Sequence, residues 1–429
     1  MKSQALGPLT ATMLVAGNMI GSGIYLLPAT LAAFGSVSLV GWAVSGAAAM
    51  LLALVFAGLF RVRSEAHGMI AQVRAGLGPF ASFQTTFFYW TGGWIGNVAI
   101  AVAAAGYLGA LFPALRGAGA ATTLAILWVL TALNFFGARR VAQFQGLTLA
   151  IGIVPIAIAI ALGAVRFDAQ VFMESWNVSG RSDAAVVPAM FVSIFWAFLG
   201  LESAAVCAAV VRSPERNVPI AVIGGVALTA AIYVAGCAAL MGLMPASQLA
   251  ASSAPFADAV ARVVGVGASA LVAVCAVLRA SGALSGWILA TAESARSAAE
   301  TRVFPVWFLE KSGSLAPRKN ILIVAALMTA SHLLSLSPTL GAQFSILINV
   351  ATVLFLVIYA YCCAALWRLS ARAPGQWGWR TLSVLAAAFC VWAIAASDPG
   401  QLIYAAAIFA LTLPLYLFAR RSGASEQQA

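Results

Sequence analysis

Apolar stretches of about 20 residues recur along the whole chain, and charge interrupts almost none of them. A helix rises 1.5 Å per residue, so about 20 such residues cross the roughly 30 Å of hydrocarbon in a bilayer. Of 429 residues, 63% are hydrophobic and 8% charged, where a soluble domain carries roughly 25% charged residues. A soluble fold of this composition would leave large apolar surface in water. A membrane β-barrel would alternate polar and apolar residues over segments of about 10 residues, and a stretch such as 147–162 does not alternate. The expected fold is an all-α polytopic membrane protein.

Twelve spans are read at roughly 9–34, 37–60, 80–112, 120–138, 144–165, 186–210, 218–244, 264–292, 320–336, 342–367, 381–397 and 400–419. Basic residues gather on the cytoplasmic side of membrane proteins. With the N-terminus cytoplasmic, 18 of the 23 Lys and Arg residues fall in cytoplasmic segments. Four fall outside (Arg116, Arg166, Arg181 and Arg262), and Arg279 lies within a helix. A miscounted helix would flip every later loop, so the asymmetry supports twelve spans with both termini cytoplasmic. Nucleic acid is excluded as a partner despite the net charge of +11, because the cations are dispersed between apolar segments and form no patch or stripe. The six cysteines, Cys207 among them, show no CxxC spacing and read as small core residues. The N-terminal apolar run reads as the first span and not as a cleaved signal peptide.

Two spans carry interruptions. The first holds Gly17, Gly21, Ser22 and Gly23 within seven residues, and glycine in a helix interior costs about 1 kcal/mol relative to alanine. The sixth holds Gly200 and Glu202 in mid-span. Interrupted spans at matching positions of two halves point to an inverted-repeat transporter with its site between them; alone, each would read as close helix packing. Unwound backbone at membrane depth must line a cavity or be buried in protein. There, N–H groups opening a half-helix suit a carboxylate, and freed carbonyls after Trp196 suit an ammonium. Tyr89, Gly93 and Asn97 share one helix face. Trp196 and Trp287 offer faces that attract a cation by roughly 0.5–2 kcal/mol. Glu202 is a carboxylate deep in a span, functional by default, and suited to couple gating to proton gain and loss.

At these residues the sequence resembles the basic amino acid/polyamine antiporters of the amino acid–polyamine–organocation superfamily, the arginine/agmatine and putrescine/ornithine exchangers among them. The motifs are GNMIGSGIYLLPA (17–29), YWTGGWIGNVAI (89–100), FWAFLGLESA (195–204), SPERNVPIAVIGG (213–225) and GALSGW (282–287). The resemblance implies a 5+5 inverted repeat with helices 1 and 6 broken, the halves at 9–165 and 186–367, followed by two additional helices at 381–419. It implies alternating access, often as a homodimer, and no cofactor. By motif, Ser22 and Gly23 would meet the substrate carboxylate, and Ile20 beside them would belong to the binding site. Trp196 would cap the substrate, with Leu199 beside it, and Trp287 would stack on its tail. Asn97 would hydrogen-bond that tail, with Gly92, Gly93 and Ala351 completing the pocket. Tyr89, Glu202 and Tyr359 would form the inner gate.

The chain departs from that pattern. Arg279 lies in the eighth span where the arginine/agmatine exchangers carry a small residue. It is expected to stand as a fixed cation where sodium-coupled relatives hold a sodium ion, bridging to carbonyls of the first helix; pairing with Glu202, or binding an anionic group on the substrate, is the rival. Gly92, Gly93 and Ala351 are smaller than their counterparts, which is expected to enlarge the cavity and remove an acceptor for a guanidinium. His67 reads as a solvated loop residue and His332 as a packed one.

The expected function is exchange of a cationic amino acid (arginine, lysine or ornithine class) for its amine or a related amino acid, without sodium, at the bacterial inner membrane. The alternative is a proton-coupled or facilitated transporter or exporter of neutral amino acids on the same fold. A channel is disfavoured by the lack of a carbonyl filter motif or a ring of charge. An enzyme is disfavoured by the lack of a nucleophile–base set or HExxH-type motif.

Overall fold

The computed structural model describes residues 7–21, 23–62, 68–202, 211–310 and 316–425. Ser22, His67, Cys207 and the 203–210 part of the sixth span lie outside the described residues. In chain order the helices are α1 (Pro8–Met19), α2 (Gly23–Ala32), α3 (Ser38–Val62), α4 (Met69–Leu77), α5 (Pro79–Leu111), α6 (Gly119–Asn134), α7 (Ala138–Arg166) and α8 (Ala169–Glu174). Then follow α9 (Asp183–Phe195), α10 (Pro214–Leu243), α11 (Ala246–Ala250), α12 (Pro255–Val264) and α13 (Val266–Glu300). The last four are α14 (Arg318–Leu334), α15 (Leu340–Leu369), α16 (Gln376–Ala395) and α17 (Pro399–Ser425). Helices are the regular structure throughout the described residues.

Nine spans among the described residues are long and apolar enough to cross a bilayer. The pair α1 and α2, bent by 46° at its break, makes a tenth. The sixth and ninth expected spans are the shorter apolar helix Asp183–Phe198 and the 17-residue α14. The eighth span runs beyond the expected 292 to Glu300. Arg296 bonds Glu293 and Glu300 at 2.6 and 2.8 Å, and such i,i+3 and i,i+4 pairs prolong a helix after its apolar stretch has ended. Between α4 and α5 the chain turns at Gly78 (φ +90°), a conformation open to glycine at no steric cost. Pro79 then opens α5 at N1, where its missing N–H is no loss.

Helices α5 and α15 form the buried centre, while α16 and α17 present most of their surface outward, as at Val391, Ile403 and Leu411. Helices α7 and α13 approach closely through small residues. A Cβ on Gly286 would stand 2.6 Å from the Gln145 amide, and one on Gly282 would collide with Thr148. Gly152 faces the stem of Arg279 in the same way. The glycines of the GALSGW segment therefore dock α13 on α7, close packing of the kind membrane helices favour, and this docking sets the depth at which Arg279 stands.

Candidate functional site

Both interruptions are present. Helix α1 ends at Met19; Ile20 leaves helical geometry (ψ 73°) and α2 begins at Gly23. In the sixth span a 3-10 turn over Trp196–Phe198 ends α9, Leu199 is extended, and Gly200 sits at φ +100°. A side chain strains that backbone. The breaks face each other: a Cβ on Gly200 would lie 3.4 Å from the Asn18 carbonyl oxygen.

The freed carbonyls are largely occupied. Arg279, 1% exposed, donates from Nε to the Ile20 carbonyl at 2.8 Å and from Nη2 to the Gly17 carbonyl at 2.6 Å. Its charge thus sits at the C-terminus of half-helix α1, where the macrodipole favours a cation. Among the described residues it forms no ion pair, and Glu202 is held elsewhere. The Tyr233 hydroxyl lies 2.6 Å from the Met19 carbonyl and 3.1 Å from that of Ala197, so one proton serves a carbonyl from each break. Leu199 N–H donates to the Trp196 carbonyl at 3.1 Å. The Trp196, Ala197 and Phe198 carbonyls, in the stretch expected to be open to an ammonium, therefore already accept bonds. The first N–H groups of α2 have no partner within their own helix, as at any helix start, and Gly23, its first residue, lines the chamber. Tyr25 of α2 donates to the Gly152 carbonyl and accepts at its own carbonyl from the Tyr107 hydroxyl at 2.8 Å, which ties α2 to α7 and α5.

Tyr233 carries no motif, and only the fold reveals its role. Tyr233→Phe leaves the two carbonyls to compete for no donor. The expected result is a loss of about 1 kcal/mol in stability and at least a fivefold lower exchange rate with KM little changed. Thermal unfolding and initial-rate kinetics in proteoliposomes check both.

Between the breaks lies a narrow chamber of about 40 Å³. Of the expected binding residues, Gly23, Gly92, Gly93, Asn97, Trp196, Leu199 and Trp287 line it. Ile20 and Ala351 do not: Ile20 contributes its carbonyl to Arg279, and Ala351 is fully buried behind the wall. The expected enlargement at Gly92 and Gly93 is corrected. A Cβ on Gly92 would stand 2.8 Å from the Phe355 ring, and one on Gly93 would stand 2.7 Å from Thr291 Oγ1. These glycines admit neighbouring side chains, so the space they leave is filled. The Trp196 indole lies across Gly96, whose Cβ would come within 2.6 Å of Cη2, and beside Gly23, at 3.3 Å from Cδ1. Asn97 is 1% exposed, and its amide Nδ2 has no partner among the described residues.

Asn18, Gly96 and Phe355 were not singled out in the sequence. Two signals were available: Gly96 is one turn after Gly92 within the YWTGGWIGNVAI motif, and Phe355 is one turn after Ala351. On the gate side, Tyr359 donates to Glu202 Oε2 at 2.8 Å, both fully buried. The Tyr89 ring lies 6.4 Å from Trp287 and 5.6 Å from Phe355. Phe355, 6.2 Å from Tyr359, links the two tyrosines.

Two interrupted spans closing over a chamber in mid-bundle define an all-α membrane transporter. The chain belongs to the amino acid permease family, whose model matches residues 6–415. It is 33% identical over 427 residues to the cadaverine/lysine antiporter of Escherichia coli K12, a match covering 98% of this chain and 95% of that protein. It is 34% identical over 370 residues to the putrescine transporter PotE of the same strain, covering 85% and 84%. The protein of that name in Haemophilus influenzae is 34% identical over 367 residues, with the same coverage.

Proposed function

We propose that the protein exchanges a cationic amino acid for its amine or a related amino acid by alternating access, without sodium, at a bacterial inner membrane with both termini cytoplasmic. The observation that carries this reading is the chamber's wall: two indoles and an amide Nδ2 without a partner among the described residues, with no carboxylate among the described lining residues. Indole faces replace water around a cation without a fixed counter-charge, and the α2 N-terminus suits a carboxylate where the substrate has one. Phe355 and Thr291 narrow the chamber beside Gly92 and Gly93, which favours a slim alkylammonium tail of the lysine and ornithine class over a planar guanidinium. Relatives named for cadaverine, lysine and putrescine support the same choice. Arg279 supplies the positive charge at the α1 break that sodium supplies in coupled transporters. The homodimer rests on the resemblance; the outward apolar faces of α16 and α17 are the surface it would use.

Counterflow in proteoliposomes tests the reading. Loaded lysine or cadaverine should exchange with external lysine, ornithine, putrescine or cadaverine, faster than with arginine or agmatine, and equally in sodium and choline buffers. Saturable uptake of neutral amino acids that needs no cation on the other side would replace this reading with the facilitated transporter. Glu202→Gln removes the titrating group beside Tyr359 but keeps its shape. It is expected to slow exchange at least tenfold and to flatten its dependence on pH. An unaltered rate and pH profile would show that Glu202 only braces two helices.

A further inference from the structure

A second space, of about 530 Å³, opens between α4, α5 and α13. Tyr89 lines it, and the Tyr89 ring packs on Trp287 and Phe355, which line the chamber. It is therefore the vestibule on the far side of the Tyr89 gate. We propose that this vestibule is a second, shallower binding subsite for the ammonium group of the same substrates, with Glu293 as its anionic pole. The proposal rests on the cationic reading of the substrate.

Three features of the wall point to an ammonium. Glu293 and Glu300 share the single guanidinium of Arg296, at 2.6 and 2.8 Å, so this turn of α13 carries one surplus negative charge. Four hydroxyls of the wall spend their protons on backbone carbonyls, Ser82 on that of Ile70 in α4 at 3.4 Å. Thr86 donates to the Ser82 carbonyl at 2.8 Å, Ser294 to that of Thr291 at 2.8 Å, and Thr301 to that of Ser297 at 3.1 Å. What they turn to the vestibule is lone pairs, and an ammonium brings three donors and no acceptor. Glu293 also follows Trp287 by six residues, roughly 9 Å along the helix axis. That rise is comparable to an extended five-carbon diamine, whose leading ammonium can reach Glu293 as its tail leaves the indoles.

Arg74 is the one cation among the vestibule's described lining residues, and it comes from α4 on the opposite wall. Lysine presents its side-chain ammonium to Glu293 and its carboxylate to Arg74, whereas a diamine uses Glu293 alone and norleucine has no side-chain ammonium to offer it. The two charges therefore divide the two substrate kinds.

The test is the KM measured from the vestibule face in oriented proteoliposomes for cadaverine, lysine and norleucine, which lacks the cationic tail. Glu293→Gln should raise KM about tenfold for cadaverine and lysine from that face, by less than twofold from the opposite face, and not for norleucine inhibition. Glu293→Asp should recover most of the loss. Arg74→Gln should raise KM for lysine and leave that for cadaverine within twofold. A KM for cadaverine within twofold of the wild type in Glu293→Gln, or an equal shift for norleucine, overturns the proposal. Should that variant fail to assemble, Ser297→Cys in the otherwise native protein decides. Cadaverine should slow its labelling by an impermeant cationic thiol reagent at least fivefold, and unslowed labelling overturns the subsite. Wild-type counterflow separates the two readings: no exchange of any cation removes both, whereas exchange with an unaffected Glu293→Gln removes the subsite alone.

Discussion

Arg279→Leu is expected to abolish exchange, to below a hundredth of the wild-type rate, and to lower stability by about 3–5 kcal/mol. The variant leaves the Gly17 and Ile20 carbonyls unbonded inside the bundle. Hydrogen bonds to a charged group contribute about 1.5–3 kcal/mol each, and backbone polar groups at membrane depth find no water to replace them. The end of α1 also loses the cation that offsets its macrodipole. Arg279→Lys keeps the charge but not the planar fork that reaches two carbonyls at once, so partial activity is expected. Arg279→Ser vacates the place without filling it with carbon, and sodium should stimulate that variant by several-fold where it leaves the wild type unaffected. Uptake at fixed membrane potential in sodium and choline, with thermal unfolding of the detergent-solubilised protein, checks each outcome. Full exchange by Arg279→Leu, or sodium stimulation of the wild type, would end the fixed-cation reading.

Arg279 also marks how far the sequence could be read. A lone arginine in an apolar stretch announces a buried partner, and two glycine-marked spans announce broken helices; both inferences use one segment at a time. The partners are a different matter. Tyr233 lies 214 residues from the carbonyl it bonds, and nothing local in α10 distinguishes it from a packing tyrosine. Gly92 and Gly93 read as empty space because a glycine in sequence is only a missing side chain. Whether that gap belongs to substrate or to Phe355 and Thr291 depends on α15 and α13. The end of the eighth span was misplaced for a similar reason: hydropathy stops near residue 292, while ion pairing by Arg296 carries the helix to Glu300. Apolar patterning marks the spans, but the shape of the chamber follows from cross-helix packing.

Gly96 is where that packing bears most directly on transport. The indole of Trp196 covers it at a distance that leaves no room for a Cβ, and Trp196 is held on its other edge by Gly23. Gly96→Leu therefore cannot be absorbed by a small shift of the ring. The new side chain takes the place of the indole and drives it into the chamber or out of the break. Adding carbons to a packed interior costs typically 1–3 kcal/mol, which a bundle of this size survives, so loss of function should precede loss of fold. The expected result is a monodisperse protein whose unfolding temperature falls by only a few degrees and whose exchange is at least a hundredfold slower. Gly96→Ala should be intermediate. Tryptophan fluorescence separates the causes: substrate should perturb the emission of the wild type through Trp196 and Trp287, and that response should vanish in Gly96→Leu. A Gly96→Leu protein that exchanges and responds as the wild type does would mean that Trp196 is not a gate, and that the chamber is closed by other residues.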